Sequence, residues 1–399
     1  MKHWVPRGMG LLVAAAAAAT FTVGGPTAAA GADESASSVQ IVAAAVDDTG
    51  ESAAARVAGM TTEQKAATVV MGHIATTDAT VLHDYMQRTQ LGGFILMGAN
   101  IPADEGALRA ITAALTIDPA LPPLLAVDEE GGQVTRLPWD DFPAANTLKN
   151  EPPEATRNAF RARAALVQRA GIGVNFGIVA DIADGRSSFI YGRALGTSPD
   201  AAAERVAAAV TGEHGQVQST LKHFPGHGAA PGDSHAGIPA TDMAKADWAA
   251  ADGRPFAAGV DAGAQLVMFG HLRYRSIDQA PASLSSEWHR ILRDELGFTG
   301  LAITDDLGML QASGEPGLSD PVANAVAALR AGNDMVVAVM FTDAGSAGSV
   351  IAGIVAAVAT GDLPAERLDE AATRVTALRL QVAAGGRGFV PCPDCAAAG

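Results

Sequence analysis

Leu301-Ala302-Ile303-Thr304-Asp305-Asp306 begins with three apolar residues and ends in two adjacent carboxylates. The same gradient recurs along the chain. Leu124-Leu125-Ala126-Val127 runs into Asp128, the stretch opening at Val174 into Asp181, Thr220-Leu221 into Lys222-His223, and the stretch opening at Leu266 into His271. A short aliphatic run bounded by turn residues reads as a buried strand. In a closed parallel barrel all C-terminal strand ends open on one mouth, so five such strands deliver ionisable groups to a single cavity.

Outward from these five, eight strand candidates can be counted: residues 69–74, 93–97, 124–129, 174–182, 219–224, 265–271, 301–306 and 334–339. Amphipathic, alanine-rich stretches separate them, and their ends are legible. Pro199 follows a start at Ser198, Gly297 follows Leu292 and Leu296, and Pro321 opens a helix that Gly332 closes. The last two helical stretches cover residues 347–360 and 364–384. Strand and helix in alternation predict an α/β chain, and eight strands predict a single (β/α)8 TIM-type barrel over residues 53–385. An open doubly wound sheet shares the alternation. Neither a glycine-rich phosphate loop nor a fixed-period repeat is present.

The flanks read differently. Lys2 and Arg7, an apolar run from Leu11 to Val23 and Ala28-Ala29-Ala30 predict a secretory signal over residues 1–30, and hence a secreted or cell-envelope protein. An uncleaved anchor is the alternative, although the run is short for a membrane span. Residues 31–52 are mostly Ala, Ser, Asp and Gly and read as a flexible linker. Cys392 and Cys395, the chain's two cysteines, sit in the tail at 386–399, where a local disulfide fits an exported protein better than a redox or zinc motif. With 27 basic against 43 acidic residues the formal net charge is -16. That field repels nucleic acid and anionic membrane surfaces, and a neutral substrate fits it better.

The chemistry concentrates in Lys222-His223-Phe224-Pro225-Gly226-His227-Gly228 and the following Asp233-Ser234-His235. His223, His227, Asp233 and His235 could ligate a metal. Against that, Lys222 adjoins the cluster, and Pro225 and Gly226 keep His223 and His227 off one helical face. The other reading pairs Asp233 with His235, two residues apart on a glycine-flanked loop. The carboxylate would fix the ring's tautomer and favour the imidazolium, suiting the histidine to donate a proton and later accept one. Asp305, at a strand end near Lys222, Arg136 and Arg193, would stay ionised and act as a nucleophile, with Asp306 as its rival. Alternation of side chains allows only one of the two to point along the barrel axis.

These motifs resemble glycoside hydrolase family 3, specifically its β-N-acetylglucosaminidase branch. The likeness runs from about Gly92 to Arg379 and includes Asp128-Glu-Glu-Gly-Gly-Gln-Val-Thr-Arg136, Asn175-Phe176 leading to Asp181, the stretch from Lys222 to His235, Pro281-Ala-Ser-Leu-Ser285 and Thr304-Asp305-Asp306-Leu307. The resemblance implies a TIM barrel with Asp305 as nucleophile, His235 as acid/base and Asp233 as its dyad partner. It places Asp128, Arg136, Arg193, Lys222 and His223 on the sugar, and implies no metal and no organic cofactor. The expected activity is retaining hydrolysis of terminal N-acetylglucosamine from cell-wall fragments or chito-oligosaccharides. The expected partner is therefore an N-acetylglucosamine-containing oligosaccharide, with no nucleic acid and no integral membrane domain after signal cleavage. Phosphorolysis and a non-catalytic sugar-binding barrel are the alternatives. The chain departs from the commonest pattern at Gln133, at Gly177-Ile178, at Arg193-Ala-Leu-Gly196 and at Met97-Gly-Ala-Asn100.

Overall fold

Eight parallel strands close into a barrel in the computed structural model, which describes residues 50–183 and 185–385. The predicted signal, residues 31–49 of the predicted linker, and the tail with Cys392 and Cys395 lie outside the described residues. The barrel strands are β1 (Val70–Gly72), β2 (Gly93–Leu96), β3 (Leu124–Val127), β4 (Val174–Val179), β5 (Gln218–Phe224), β7 (Leu266–Phe269), β9 (Leu301–Asp306) and β10 (Met335–Val337). Their order around the barrel follows the chain, with β10 beside β1, so each crossover joins neighbours. That closure excludes the open doubly wound sheet. Each of the eight candidates overlaps a barrel strand; several are trimmed at the C-terminal end because their polar residues belong to the loops. The remaining two strands, β6 (Ala240–Thr241) and β8 (Arg273–Tyr274), pair with each other outside the barrel and are too short to leave a pattern in the sequence.

Alternate residues fill the barrel. Leu124 and Ala126, Val174 and Phe176, Leu266 and Met268, Leu301 and Ile303, and Met335 and Val337 form one cluster, as the two-residue period of a strand requires. The last helix, Ala365–Ala384, adds Val375, Leu378 and Val382 to the same cluster. Their three- and four-residue spacing sets them on one helical face, and this face packs beneath the barrel's interior. Other helices cover the outside, among them Pro153–Arg169 and Pro199–Glu213. The latter starts where read: Ser198 Oγ accepts the Ala201 N–H, and Pro199 stands at the first turn. Likewise Pro321–Ala331 ends at Gly332, whose φ of 131° lies outside the range that L side chains readily adopt. Among the described residues no helix is long and apolar enough to cross a membrane.

Candidate active site

The C-terminal strand ends surround a cleft. Its apolar floor comes from the barrel interior, with Ile95, Phe176, Met268 and Val337 among the lining residues. Above them stand Asp128, Arg136, Arg193, Lys222, His223, Asp305 and Asp306, and His235 completes the wall. Thus Asp305, His235 and the five residues expected to touch the sugar share one cavity, as residues read from separate strands and one loop. Asp233 stands behind His235. Asp181 and His271, which the strand-end pattern also sends toward the mouth, are buried at 1% exposure and do not line it. They support those that do.

Lys222 organises one side. Its ammonium lies 2.8 Å from Asp128 Oδ1 and 2.7 Å from Glu130 Oε1. Glu130 in turn accepts both Arg193 Nε at 2.9 Å and Nη2 at 2.7 Å, and Arg136 Nη2 stands 3.5 Å from Asp128. Burial alone would strip charge from these groups. It pulls Lys222 down, but attraction to Asp128 and then Glu130 holds the amine above its ordinary value. Burial likewise pushes Asp128 and Glu130 up, and Lys222 keeps both carboxyls below the usual carboxylate range, with Arg136 and Arg193 helping at Asp128 and Arg193 at Glu130. The result is a fixed set of ionised donors and acceptors, the type of surface that polyhydroxylated ligands require. Glu130 went unassigned in the sequence. It lies just past the end of β3 and behind the cleft lining, where it holds Lys222 and Arg193.

A second relay runs through Asp181. This buried carboxylate lies 2.7 Å from His223 Nδ1 and accepts the backbone N–H groups of His223 and His227. Burial raises it, yet His223 and His227 hold it below the usual range. Since an ionised carboxylate only accepts, Nδ1 of His223 carries the proton. Its Nε2 sits 3.4 Å from Arg193 Nη2. The Lys222–His223 peptide is cis, and both side chains line the cleft.

Asp305 and Asp306 separate by their partners. Both oxygens of Asp306 are committed: Oδ1 accepts from Gly308 N and Val339 N, Oδ2 from Met340 N. Burial pushes its carboxyl up to about 6 despite those three donors. It caps the helix Leu307–Ala312 and ties down the loop after β10. Asp305 accepts the Asp306 N–H and stands among His223, His271 and Lys222, whose attraction overrides the upward push of burial and keeps it below the usual carboxylate range. His271 is itself fixed, by Ser283 Oγ at 2.7 Å and the Asp306 carbonyl at 2.9 Å.

Opposite this buried floor, Asp233 and His235 occupy an exposed loop. Asp233 Oδ1 lies 2.8 Å from His235 Nδ1 and accepts the His235 backbone N–H at 3.0 Å. Partial burial raises Asp233, and the two His235 bonds outweigh it, leaving the carboxyl below the usual range. Nδ1 is then the donor, and Nε2 is left for the cleft. His227 takes no part in a ligand set with these residues. It is buried, both ring nitrogens lack a partner among the described residues, and its ring meets that of His223 at 6.0 Å edge-on. Among the described residues no group of three or more His, Cys, Asp or Glu side chains could hold a metal ion.

Comparison with known proteins converges on one family. Residues 61–378 match the model of the glycosyl hydrolase family 3 N terminal domain. The chain is 34% identical over 265 residues to a β-hexosaminidase from Xanthomonas axonopodis pv. citri, covering 63% of this chain and 78% of that protein. A β-hexosaminidase from Stenotrophomonas maltophilia gives 34% over 264 residues, 63% of this chain and 77% of its own length. Among solved structures, a glycoside hydrolase family 3 β-N-acetylglucosaminidase from Paenibacillus sp. superposes with a TM-score of 0.75 at 28% identity. That match covers 81% of this chain and 63% of the Paenibacillus protein, so this chain spans less than two thirds of it. A β-N-acetylhexosaminidase from Beutenbergia cavernae gives 0.71 at 29% identity, covering 80% of this chain and 98% of that one. The chain belongs to glycosyl hydrolase family 3.

Proposed function

We propose that this family 3 glycosidase is a retaining β-N-acetylglucosaminidase that removes terminal N-acetylglucosamine from cell-wall fragments or chito-oligosaccharides outside the cytoplasm. β-Hexosaminidase activity follows from the family and the named relatives. The finer reading is supported chiefly by one observation: Asp305 and His235 line the same cleft, and of the two adjacent carboxylates only Asp306 has both oxygens taken by backbone.

In this mechanism an ionised Asp305 oxygen attacks the anomeric carbon as the bond to the leaving oxygen breaks. His235, protonated at Nε2 and held through Nδ1 by Asp233, gives its proton to that oxygen. The neutral imidazole then takes a proton from water, which attacks the glycosyl ester, frees Asp305 and restores the imidazolium. Two inversions give net retention. Asp128, Arg136, Arg193, Lys222 and His223 hold the sugar hydroxyls so that the anomeric carbon meets Asp305, and Glu130 behind them holds Lys222 and Arg193 in place. Proton NMR of the first-formed product tests the stereochemistry: the β anomer should appear first, and initial α anomer would contradict a covalent Asp305 intermediate.

Phosphate is the rival acceptor. Arg136, Arg193 and Lys222 are answered by Asp128, Glu130 and Asp305, so the cleft offers an incoming dianion no surplus of positive charge. This favours water. Sugar-1-phosphate as the dominant product in phosphate buffer would reverse that assignment.

A further inference from the structure

Beneath the sugar-facing loop lies a second charged cluster that the proposed reaction does not use. Glu129, between Asp128 and Glu130, is fully buried. Its Oε2 accepts the backbone N–H groups of Arg136 at 2.9 Å and Leu137 at 2.8 Å, which draws the two ends of the loop 128–137 together. Its own main chain is held by Asn175 on β4: Glu129 N donates to Oδ1, and Nδ2 donates to the Glu129 carbonyl, each at 3.1 Å. Asn175 Nδ2 also donates to Glu213 Oε1 at 2.7 Å. Gly131, at the turn of the loop, has φ 82°, and a Cβ there would lie 2.2 Å from Arg163 Nη2.

The other oxygen, Glu129 Oε1, is buried without a partner among the described residues, and the carboxyl of Asp140 lies close enough to share a hydrogen bond with that of Glu129. Two carboxyl groups form a hydrogen bond only when one carries a proton. Asp140 is paired with Arg163 Nε at 2.5 Å in a fully buried ion pair. The negative charge therefore belongs on Asp140 and the proton on Glu129. Burial agrees: with the nearby Asp140 it pushes the Glu129 carboxyl up to about 9.

We propose that Glu129 is a positioning residue: as the protonated partner of Asp140 it clamps the 128–137 loop so that Asp128 and Arg136 face the sugar, and loss of that proton releases them. The groups against Glu129 are Asp140, the Arg136 and Leu137 amides and, from β4, Asn175; behind them stand Arg163 from the helix Pro153–Arg169, paired with Asp140, and Glu213 from Pro199–Glu213, bonded to Asn175. Of these Glu213 also titrates above the usual range, pushed up to about 8 by burial. Its contribution is common to wild type and a Glu129 variant, so their difference isolates Glu129.

The substrate readout rests on the reading of this cleft as an N-acetylglucosaminide site; the stability readout does not. The sign follows from the raised value. A proton held by the folded state and released by the unfolded chain gives stability that is fully present below the ordinary carboxyl value of 4.5, falls progressively as pH rises above it, and is gone by about 9. Glu129→Gln keeps an oxygen for the Arg136 and Leu137 amides and offers Asp140 a donor that does not titrate.

Melting temperatures of wild type and E129Q should therefore diverge in favour of the variant as pH climbs. On an aryl N-acetylglucosaminide, the wild-type Michaelis constant should rise roughly tenfold between about pH 8 and about pH 10, with kcat changing less and E129Q staying flat. Glu129→Ala should raise the Michaelis constant at every pH. Parallel melting curves for wild type and E129Q would overturn the proposal, whatever the substrate proves to be. Melting curves that diverge on a protein inactive toward N-acetylglucosaminides would keep the clamp and discard the substrate assignment.

Discussion

The two walls of the cleft are built on opposite principles. On one, Lys222 and Glu130 are 3% and 4% exposed and locked into a web with Asp128 and Arg193. On the other, His235 and Asp233 are 61% and 48% exposed and hold chiefly each other. A buried web cannot rearrange without leaving unpaired charge, so it fixes ligand geometry before the ligand arrives. An exposed dyad on a loop costs little to move and can approach the leaving group once the sugar is seated. In the proposed mechanism, binding and proton transfer fall to parts of the molecule with different rigidity, and each part should fail differently.

The largest effect expected on removing a single side chain is at Asp305. Asp305→Ala should lower kcat by roughly four orders of magnitude with the melting temperature nearly unchanged. Next, His235→Ala should cost about a thousandfold on a poor leaving group and far less on an activated aryl glycoside, because only the former needs the proton. Being exposed, His235 should contribute under about 0.5 kcal/mol to stability; a large melting shift in that variant would erase the contrast between the walls. Lys222→Met reverses the pattern. Leaving Asp128 and Glu130 without their cation should destabilise the fold by about 3–5 kcal/mol and raise the Michaelis constant, whereas an undisturbed melting curve would mean the web is not what fixes the site. The smallest effect belongs to Asp306→Asn, which should lose about 1–2 kcal/mol of stability while retaining most activity. If it proved as inactive as the Asp305 variant, the two carboxylates would have to exchange roles.

The barrel was legible because its determinants are local. Each strand carries its apolar run and its polar end within a few residues, and helix starts such as Ser198-Pro199 announce themselves. Much of the cleft was legible for the same reason. What escaped the sequence depends on distant partners. Asp305 and Asp306 are neighbours in one strand, and what separates them is Val339 and Met340, more than thirty residues on. Asp181 and His271 sit at strand ends like the lining residues, and only the three-dimensional bonds to His223, Ser283 and the Asp306 carbonyl show that they stand behind the cleft wall. Glu129 and Glu130 look alike on paper, yet one meets Lys222 and the other Asp140. The proton between Glu129 and Asp140 could not be read at all, since it depends on Arg163 from another helix.

The account turns on a covalent bond to Asp305, and trapping tests it directly. A fluorinated N-acetylglucosaminyl fluoride that forms the glycosyl-enzyme quickly and releases it slowly should leave one sugar per chain, and peptide mass spectrometry should place it on Asp305. Label on Asp306, or complete turnover through an inverted product with no adduct, would contradict it.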